Sequence, residues 1–400
     1  MSKIDEMLKN EKVEWRKLGE VCNRQKGISI TASKMKELSK IDGKVKIFAG
    51  GKTIAYLSIE DVGEENVITI PSIVVKSRGN IDFEFCDETF SHKNELWSYS
   101  SKNEKEVSIK FLYYYLKTNQ QFFIDSAIAG KLPQIATGKT DNYLVPIPSI
   151  ETQKKIVKIL DKFTNYVTEL QAELQFRTKQ YQYYRDMLLS EDYLNKISEK
   201  IFALDNKLSW ITLGEVAKIN RGASPRPIST YLTENEDGVP WIKIGDAGKN
   251  SKYILNTEQR ITIKGAEKSR VLKKGDFIMS NSMSYGRPYI LGIDGAIHDG
   301  WAAISEYQDS LEPDFLYHYL VSQKVQKYWK SKINSSSVSN LNSEIIRSLP
   351  LPLVDKKLQK KIAEILDKFQ ALLEDTKGLL PTEIEQRRKQ YEYYREKLLT

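Results

Sequence analysis

The chain has few cysteines and histidines and no long hydrophobic run. Its two cysteines, Cys22 and Cys86, form no metal-ligand spacing, so neither a zinc site nor a disulfide framework is expected. The N-terminal segment MSKIDEMLKNEK is charged and lacks the apolar core of a signal peptide, and no segment is apolar enough to span a membrane. These absences predict a cytoplasmic protein with no membrane partner and no bound metal.

Catalytic motifs are missing as well. Residues 49–53 read AGGKT, but a phosphate-binding loop needs an earlier glycine where Lys46 stands, so a turn between strands is the preferred interpretation. Pro313 and Asp314 lead into a helical pattern, not into a strand bearing the Glu-x-Lys of a nuclease. No Asn-Pro-Pro-Tyr/Phe or Asp-Pro-Pro-Tyr segment is present to hold a flipped base for amino-methylation. We therefore predict a non-enzymatic protein without a cofactor of its own.

The charge balance favours a polyanionic partner. The chain contains 61 lysine and arginine residues against 53 aspartate and glutamate residues, which gives a net charge of +8. Such an excess is typical of proteins that bind nucleic acid, although a merely soluble basic protein would show it too.

The sequence contains one unit twice. QKKIVKILDKF at residues 153–163 returns as QKKIAEILDKF at 359–369, and KQYQYYRDMLL at 179–189 returns as KQYEYYREKLL at 389–399. The first block repeats with an offset of 206 (359 − 153) and the second with 210 (389 − 179), so the later copy has four extra residues between them. The duplication predicts two similar halves related by a pseudo-two-fold axis.

Apolar residues in both repeated segments follow a heptad pattern, which predicts two long helices. The first is expected over residues 151–189, and an arginine interrupts each stripe at the same position, Arg177 and Arg387. The stripes consist of Ile156, Leu160, Phe163, Val167, Leu170, Leu174, Tyr181, Tyr184 and Leu188, and of Ile362, Leu366, Phe369, Leu373, Leu380, Ile384, Tyr391, Tyr394 and Leu398. We predict that the helices form an antiparallel coiled coil; packing of each helix on its own domain is the alternative. Gly378 and Pro381 lie at the four-residue insertion and predict a break or kink there.

Each half opens with Trp-x-x-Leu-Gly-Glu-Val and closes with Pro-x-Pro. Between these markers, short strand-like runs are punctuated by glycine and charged residues, and one short helix follows them. The predicted strands cover residues 45–48, 67–70, 73–75, 240–244, 260–263 and 277–279, and the predicted short helices cover 109–117 and 312–321. The predicted class is α+β with mixed or antiparallel strands: two tandem globular domains separated by two long helices.

The two globular segments differ almost completely in sequence, whereas the helices and opening segments remain alike. Two globular domains set between similar helices and opening segments, but with different surfaces, suggest that each domain performs the same function on a different target. The predicted organisation is a first globular domain at 1–150, a helix at 151–190, a linker with room for a short helix at 191–209, a second globular domain at 210–354 and a helix at 355–400.

This arrangement resembles the specificity subunit of type I restriction-modification systems. The resemblance rests on the two WxxLGEV segments, the Pro-x-Pro joints, QKKIxxILDKF and the duplicated KQYxYYRxxLL, and it covers the whole chain. It implies two target-recognition domains that read the halves of a split DNA sequence, with helices that set their spacing. It also implies two methyltransferase subunits and two restriction subunits as partners, which would carry S-adenosylmethionine, ATP and Mg²⁺.

DNA contacts are expected from loops that mix basic, amide, hydroxyl and glycine residues. In the second domain Gly222-x-Ser224-Pro225 is close to the glycine-rich loop of the family, whereas Gly27-Ile28-Ser29-Ile30 lacks its proline. The DNA-contact candidates are Lys76, Arg78, Asn80, His92, Lys93, Lys131, Gln134, Ser224, Arg226, Lys243, Ser282, Ser284, Tyr285, Arg287, Ser336 and Asn340. Partner docking is assigned to the tyrosine-rich helix ends, at Tyr181, Tyr184, Arg185, Tyr391, Tyr394 and Arg395, because tyrosine and arginine are favoured interface anchors.

Two other functions remain open at this point. A coiled-coil adaptor without sequence-specific DNA binding would fit the helices, and it predicts no salt-sensitive DNA binding. A nuclease or methyltransferase with cryptic motifs would bind S-adenosylmethionine or cut DNA as a single chain.

Overall fold

The computed structural model describes residues 11–128, 130–202, 208–248, 251–281, 286–334 and 341–399. The chain divides into two units, each with its own core. Unit 1 comprises Met1–Gln171 and Pro381–Thr400, and unit 2 comprises Ala172–Leu380. Each unit therefore contains one globular domain and a part of each long helix.

The globular part of unit 1 is built from three small sheets and short helices. Its strands are β1 (Glu14–Lys17), β2 (Cys22–Lys26), β3 (Val45–Phe48), β4 (Ile54–Leu57), β5 (Ser72–Lys76), β6 (Asp82–Cys86), β7 (Phe90–His92), β8 (Trp97–Ser101) and β9 (Leu144–Ile147). Its helices are α1 (Leu18–Val21), α2 (Ala32–Glu37), α3 (Ile59–Val62), α4 (Ile109–Thr118), α5 (Gln120–Asp125) and α6 (Thr137–Asp141). The long helix α7 (Ile150–Leu188) follows.

Unit 2 has the same kinds of elements after a helix in the linker, α8 (Glu191–Phe202). Its strands are β10 (Ser209–Thr212), β11 (Lys218–Arg221), β12 (Leu232–Thr233), β13 (Val239–Ile242), β14 (Tyr253–Ile254), β15 (Gln259–Ile261), β16 (Arg270–Leu272), β17 (Phe277–Ser280), β18 (Pro288–Leu291), β19 (Gly295–Ile297), β20 (Trp301–Ser305) and β21 (Pro350–Leu353). Its helices are α9 (Leu213–Val216), α10 (Ile263–Glu267), α11 (Pro313–Leu320), α12 (Gln323–Asn334) and α13 (Ser343–Arg347), before the long helix α14 (Lys356–Leu399).

The two domains share a strand order although their sequences differ. The sheet β2-β8-β5-β6 of unit 1 is matched in unit 2 by β11-β20-β17-β18, to which β14 is added. In the second sheet β3 pairs antiparallel with β4 and parallel with β7, as β13 does with β15 and β19. The predicted α+β class is confirmed, and of its two alternatives, mixed or antiparallel strands, the sheets are mixed.

A two-stranded ribbon joins each domain to its long helix. β1 pairs with β9 so that Trp15 faces Pro146, and β10 pairs with β21 so that Trp210 faces Pro352. The offset between the two prolines is 206 (352 − 146), which equals the offset of the first helical block. The joint and the start of the helix are therefore one repeated element.

A buried glutamine fixes each helix to its domain. Gln153 Nε2 donates to the backbone oxygens of Glu106 at 2.9 Å and Pro148 at 2.8 Å, and its Oε1 accepts from the backbone N–H of Ser108 at 2.8 Å. Both Gln153 and its counterpart Gln359 are fully buried. The glutamine therefore satisfies three backbone groups that would otherwise be buried without partners.

Gln359 makes the same three bonds in unit 2. Its Nε2 donates to the backbone oxygens of Ser310 at 2.9 Å and Val354 at 2.8 Å, and its Oε1 accepts from the N–H of Glu312 at 2.9 Å. The repeated QKKI sequence thus encodes a repeated joint.

The repeated aspartate makes a second anchor, whose partners differ between the units. Asp161 accepts from Tyr114 Oη at 2.6 Å and pairs with Lys110 Nζ at 2.8 Å. In unit 2, Asp367 lies 2.8 Å from His318 Nε2 and 2.9 Å from Lys252 Nζ. Burial lowers the pKa of His318 despite the adjacent carboxylate, which favours the neutral ring.

Within each unit the two long helices run antiparallel. In unit 1 Phe163 stacks on Tyr394 with ring centroids 5.3 Å apart, and Tyr166 Oη donates to Glu383 at 2.9 Å. In unit 2 Tyr184 stacks on Phe369 at the same 5.3 Å. The antiparallel coiled coil predicted from the heptads is confirmed.

The helical predictions were accurate except at one point. α7 agrees with the predicted bounds to within one residue, and the linker helix is present. Of the break or kink predicted near Pro381, the break is wrong, because α14 is one helix of 44 residues with that proline inside it, and the kink stays a prediction. A proline removes one intrahelical hydrogen bond, and packing along the rest of an amphipathic helix can offset that loss.

Three strand predictions also need correction. Residues 67–70 do not form a strand; Ile68 only makes an isolated bridge with Phe90. Ile263 begins α10 instead of ending β15, and β13 ends at Ile242, before a short 3₁₀ helix at Ile244–Asp246. In segments this short, periodicity alone does not separate strand from other structure.

Candidate nucleic-acid interface

Two of the predicted loops meet in unit 1. The N–H of Gly79 donates to Pro133 O at 2.8 Å, and the N–H of Ile135 donates to Ser77 O at 3.0 Å. Gly79 has a φ of 76°, a conformation that favours glycine at this turn. The residues 76–80 and 130–134 therefore form a single surface, which we call the unit 1 tip.

The unit 1 tip carries polar side chains with spare hydrogen-bonding capacity. Arg78, Asn80, Lys131 and Gln134 are exposed, and their side chains make no hydrogen bond or ion pair with the described residues. Arginine, asparagine and glutamine are the side chains that can bind guanine and adenine edges in a bidentate manner. The tip thus has the chemistry of a base-reading surface.

Two predicted contacts in unit 1 are contradicted by burial. Lys76 is 4% exposed and pairs with Glu84 across β5 and β6, with Nζ 2.5 Å from Oε2. His92 is fully buried at the end of β7, where Nε2 lies 3.1 Å from Ser98 Oγ, and burial lowers its pKa. Neither side chain can reach a nucleic acid. Lys93 is half-buried and pairs with Glu95 at 2.7 Å.

The glycines that open the two equivalent loops have a steric function. A Cβ on Gly27 would lie 2.2 Å from His92 O, and a Cβ on Gly222 would lie 2.1 Å from His298 O. Each loop therefore passes directly over the backbone of the matching histidine. This contact supports the alignment of residues 27–30 with 222–225 in the sequence.

In unit 2 the loop after β11 forms a charged cluster around Asp299. Ser224 Oγ donates to Asp299 Oδ1 at 3.0 Å, and Arg226 lies 3.4 Å from Oδ2 with 83% of its side chain exposed. Arg221 Nε donates to the backbone oxygen of Asp299 at 3.1 Å. Burial alone would raise the pKa of Asp299, but the Ser224 hydrogen bond and the nearby His298 and arginines lower it. Asp299 therefore holds two arginines, Arg226 through its carboxylate and Arg221 through its backbone oxygen.

The other unit 2 candidates are less clearly grouped. Lys243 is half-buried and lies 3.7 Å from Glu258, and the Arg287 guanidinium lies 5.2 Å from the Tyr289 ring. Five candidates lie outside the described residues: Ser282, Ser284, Tyr285, Ser336 and Asn340. Sequence reasoning missed Arg221 and Asp299, although the first directly precedes the glycine-rich loop.

The structure corrects the predicted docking anchors. Tyr184 and Tyr394 stack on phenylalanines inside the coiled-coil seam, and Arg185 is 6% exposed beside Asp186. Tyr181 is half-buried, with its hydroxyl 3.4 Å from Gln370 Oε1. Arg395 is half-buried over the half-buried ring of Tyr391, at 5.5 Å. These residues mainly seal the seam.

The exposed tyrosine of each motif was not predicted. Tyr183 is 66% exposed and Tyr393 is 59% exposed, and each makes an edge contact with the seam tyrosine that follows it. Their heptad position, one residue before a seam residue, was the signal that could have identified them.

No metal site or membrane helix is found in the parts of the chain that the structure describes. No group of three His, Cys, Asp or Glu side chains there could hold a metal ion. No helix among those residues combines the length and apolarity needed to cross a bilayer.

Comparison with known proteins identifies the family. A family model described as the type I restriction modification DNA specificity domain matches residues 10–176 and 181–386. The chain belongs to this family. The two matches correspond to the two halves of the internal repeat, so this specificity-domain protein contains the family's domain twice.

Similar proteins extend over the whole length of the chain. The specificity subunit of the type I restriction enzyme EcoR124I/EcoR124II from Escherichia coli is 28% identical over 421 aligned positions, which cover 100% of this chain and 97% of that protein. Because both chains are covered almost completely, this specificity-domain protein and that subunit correspond from end to end.

Solved structures share the fold. The crystal structure of a type I restriction-modification S subunit from M. genitalium has a TM-score of 0.57 at 20% identity, covering 98% of this chain and 97% of that one. A structure described under assembly and conformational transition of the type I R-M system has a TM-score of 0.53 at 18% identity, with 97% of both chains covered. The fold expected from the resemblance is confirmed.

Proposed function

We propose that this chain is the DNA-recognition subunit of a type I restriction-modification complex and reads a split, asymmetric DNA sequence. Each globular domain recognises one half-site. The observation that carries the proposal is the repeated sheet frame with different loops: the unit 1 tip around Arg78 and the unit 2 cluster around Asp299. Domains with the same frame but different reading side chains bind different sequences.

The coiled coil is the docking region for two methyltransferase subunits in this proposal. Exposed Tyr183 and Tyr393 occupy equivalent positions, which suits two equivalent copies of one partner. S-adenosylmethionine, ATP and Mg²⁺ belong to the methyltransferase subunits and to two restriction subunits. This chain supplies recognition and positioning.

A coiled-coil adaptor is the competing function. It would leave the unpaired side chains of the unit 1 tip without a purpose, and membership of a DNA specificity family argues against it. An assembled complex whose DNA affinity did not fall with salt would favour the adaptor.

Methylome sequencing is the direct test of the proposed function. Co-expression of this chain with the methyltransferase subunit of its system should modify adenine in two short half-sites of different sequence, separated by unspecified base pairs. Two half-sites are expected because two domains with different loops read the DNA. A continuous palindromic target would contradict the proposal.

Arg78→Ala should weaken recognition of one half-site, and Arg287→Ala should weaken recognition of the other. A bidentate arginine–guanine contact contributes roughly 1–3 kcal/mol, so discrimination at one position should relax by that amount. Binding would be measured on DNA in which one half-site at a time is scrambled.

Lys131→Ala provides a comparison for the same assay. A lysine that contacts phosphate should lower affinity for every sequence alike and reduce the salt slope by about one. If Arg78→Ala behaved like Lys131→Ala, Arg78 would be a phosphate contact and not a base reader.

A further inference from the structure

An acidic side chain lies at the centre of the unit 2 cluster that we propose to bind DNA. The Asp299 side chain is 29% exposed, and the phosphate groups of DNA repel a carboxylate. A carboxylate at this place therefore lowers the affinity for every DNA sequence unless it contributes to recognition. The matching residue of unit 1, at the offset of 206, is Lys93, so only the second domain has an acid at this position.

The backbone on both sides of Asp299 is fastened to the loop that follows β11. The N–H of Ala223 donates to Ile297 O at 3.2 Å, two residues before Asp299. The N–H of Gly222 donates to Trp301 O at 2.8 Å, two residues after it. The loop and the turn that carries Asp299 are therefore held together by main-chain bonds.

One oxygen of the Asp299 carboxylate is used inside the cluster. Oδ1 accepts from Ser224 Oγ at 3.0 Å, and the N–H of Asp299 donates back to the same hydroxyl at 3.2 Å. The N–H of Gly300 donates to His298 Nδ1 at 2.9 Å, so a neutral His298 ring carries its proton on Nε2, 3.1 Å from Oδ1. Two donors at Oδ1 thus fix the orientation of the carboxylate.

The other oxygen of the carboxylate faces Arg226. Oδ2 lies 3.4 Å from Nη2 of Arg226, whose side chain is 83% exposed. A guanidinium has five N–H donors, so this contact leaves donors on the outer edge of Arg226 for a base. Arg221 is held differently, because its Nε donates to the backbone oxygen of Asp299 at 3.1 Å. Any side chain at position 299 would keep that second contact.

We propose that Asp299 is a positioning residue that determines specificity in unit 2: it restrains Arg226 from the DNA phosphates and presents the guanidinium to one guanine. An arginine whose charge is balanced by a carboxylate gains little from phosphate, which is the same in every sequence. A guanine, by contrast, offers the arginine two acceptors in a fixed geometry. This inference rests on the proposed function and names a residue through which the second domain discriminates between sequences.

Asp299→Asn tests the proposal, because it removes the charge and keeps the shape. An amide has one acceptor oxygen in place of two, so it cannot serve both Ser224 and Arg226. In the complete complex with the methyltransferase subunit, discrimination at one G·C base pair of the half-site should fall by roughly tenfold. The released arginine should contact phosphate, so scrambled DNA should bind more tightly, and the salt slope should steepen by about one.

Asp294→Asn is the matched control, at the opposite end of β19. Asp294 is 54% exposed and pairs with Lys273 at 2.9 Å, so the variant also loses one exposed ion pair. Its discrimination and its affinity for scrambled DNA should equal those of the wild type. Base pairs read through Arg221 are an internal control, because the backbone oxygen that holds this arginine is unchanged in Asp299→Asn.

Arg226→Ala shows whether Asp299 acts through this arginine. The variant should relax discrimination at the same base pair, and adding Asp299→Asn should relax it no further. A further loss in the double variant, or a preference for a different base, would make Asp299 itself the reader and overturn the proposal. Unchanged discrimination by Arg226→Ala at every position of the half-site would overturn it too.

A purely structural function of Asp299 would give a different result. Asp299→Asn would then lower the melting temperature and weaken binding to specific and scrambled DNA alike, which would overturn the proposal. Discrimination and salt slope equal to those of the wild type would also overturn it. A wild-type complex that bound its half-sites no better than scrambled DNA would instead refute the proposed function itself.

Discussion

A four-residue insertion in α7 is expected to shift methylation to DNA with a longer spacer while both half-site sequences stay the same. Repeating the Thr-Glu-Leu-Gln of residues 168–171 lengthens the helix by about 6 Å, because an α-helix rises about 1.5 Å per residue. DNA rises about 3.4 Å per base pair, so the spacer should grow by about one or two base pairs. The original spacing should no longer be methylated.

The helix should tolerate the insertion. Four residues rotate an α-helix by about 40° beyond one full turn, and local unwinding of a coiled coil can absorb that rotation. The second copy already carries four extra residues, and α14 nevertheless forms one uninterrupted helix from Lys356 to Leu399.

Methylome sequencing of cells that express the insertion variant gives the spacer length directly. The same four residues inserted after Gly51, in an open turn between β3 and β4, provide the control and should leave the spacing unchanged. If the α7 variant were folded and active but its complex still methylated DNA with the original spacer, the helices would connect the domains without setting the spacer length.

Gln153→Leu should strongly destabilise unit 1. Leucine has a similar volume but makes no hydrogen bonds, so two backbone carbonyls and one N–H would be buried without partners. Each such group costs about 1–3 kcal/mol, and we expect a total loss of at least about 3 kcal/mol. For a unit of this size the melting temperature should fall by roughly 6–12 °C. Gln359→Leu should have the same effect on unit 2.

Thermal unfolding of the two variants, followed by calorimetry, checks this expectation. Gln171→Leu makes the same chemical change at an exposed position of α7 and should alter stability by less than about 0.5 kcal/mol. Similar melting temperatures for Gln153→Leu and Gln171→Leu would show that water replaces the amide and that the joint depends on other contacts.

The repeat made the long helices and the joints predictable from sequence. Heptad spacing and identical blocks are local signals, and they placed α7 to within one residue. The function of Gln153 was not predictable, because two of its three partners, Glu106 and Ser108, lie more than 40 residues away in the chain.

The reading loops were predicted only in part. Arg78 and Gln134 were both singled out, but their proximity depends on backbone pairing between distant segments. The prediction of Lys76 as a DNA contact was wrong because both faces of β5 are buried. The alternation of side chains along a strand does not reveal from the sequence that both faces are covered. The neighbouring strand supplies Glu84, which allows a lysine to be buried.

The prediction of Tyr184 and Tyr394 as docking anchors was wrong for a related reason. Composition identified the YxYYR motif as a surface anchor, but the heptad register places the tyrosines at its first and fourth positions in the seam and the tyrosine at its third position outside the seam. Tyr184 and Tyr394 face aromatic partners in the seam, and only Tyr183 and Tyr393 are exposed. The register was available in the sequence and should have outweighed the composition.

The buried glutamines also have an evolutionary consequence. Gln153 and Gln359 bind main-chain atoms of their domains, and main-chain atoms are the same whatever side chains surround them. A domain of unrelated sequence with the same strand order can therefore be exchanged at these joints by recombination within the repeated segments. Such exchange would change what the protein recognises in one genetic event, without a series of intermediate substitutions.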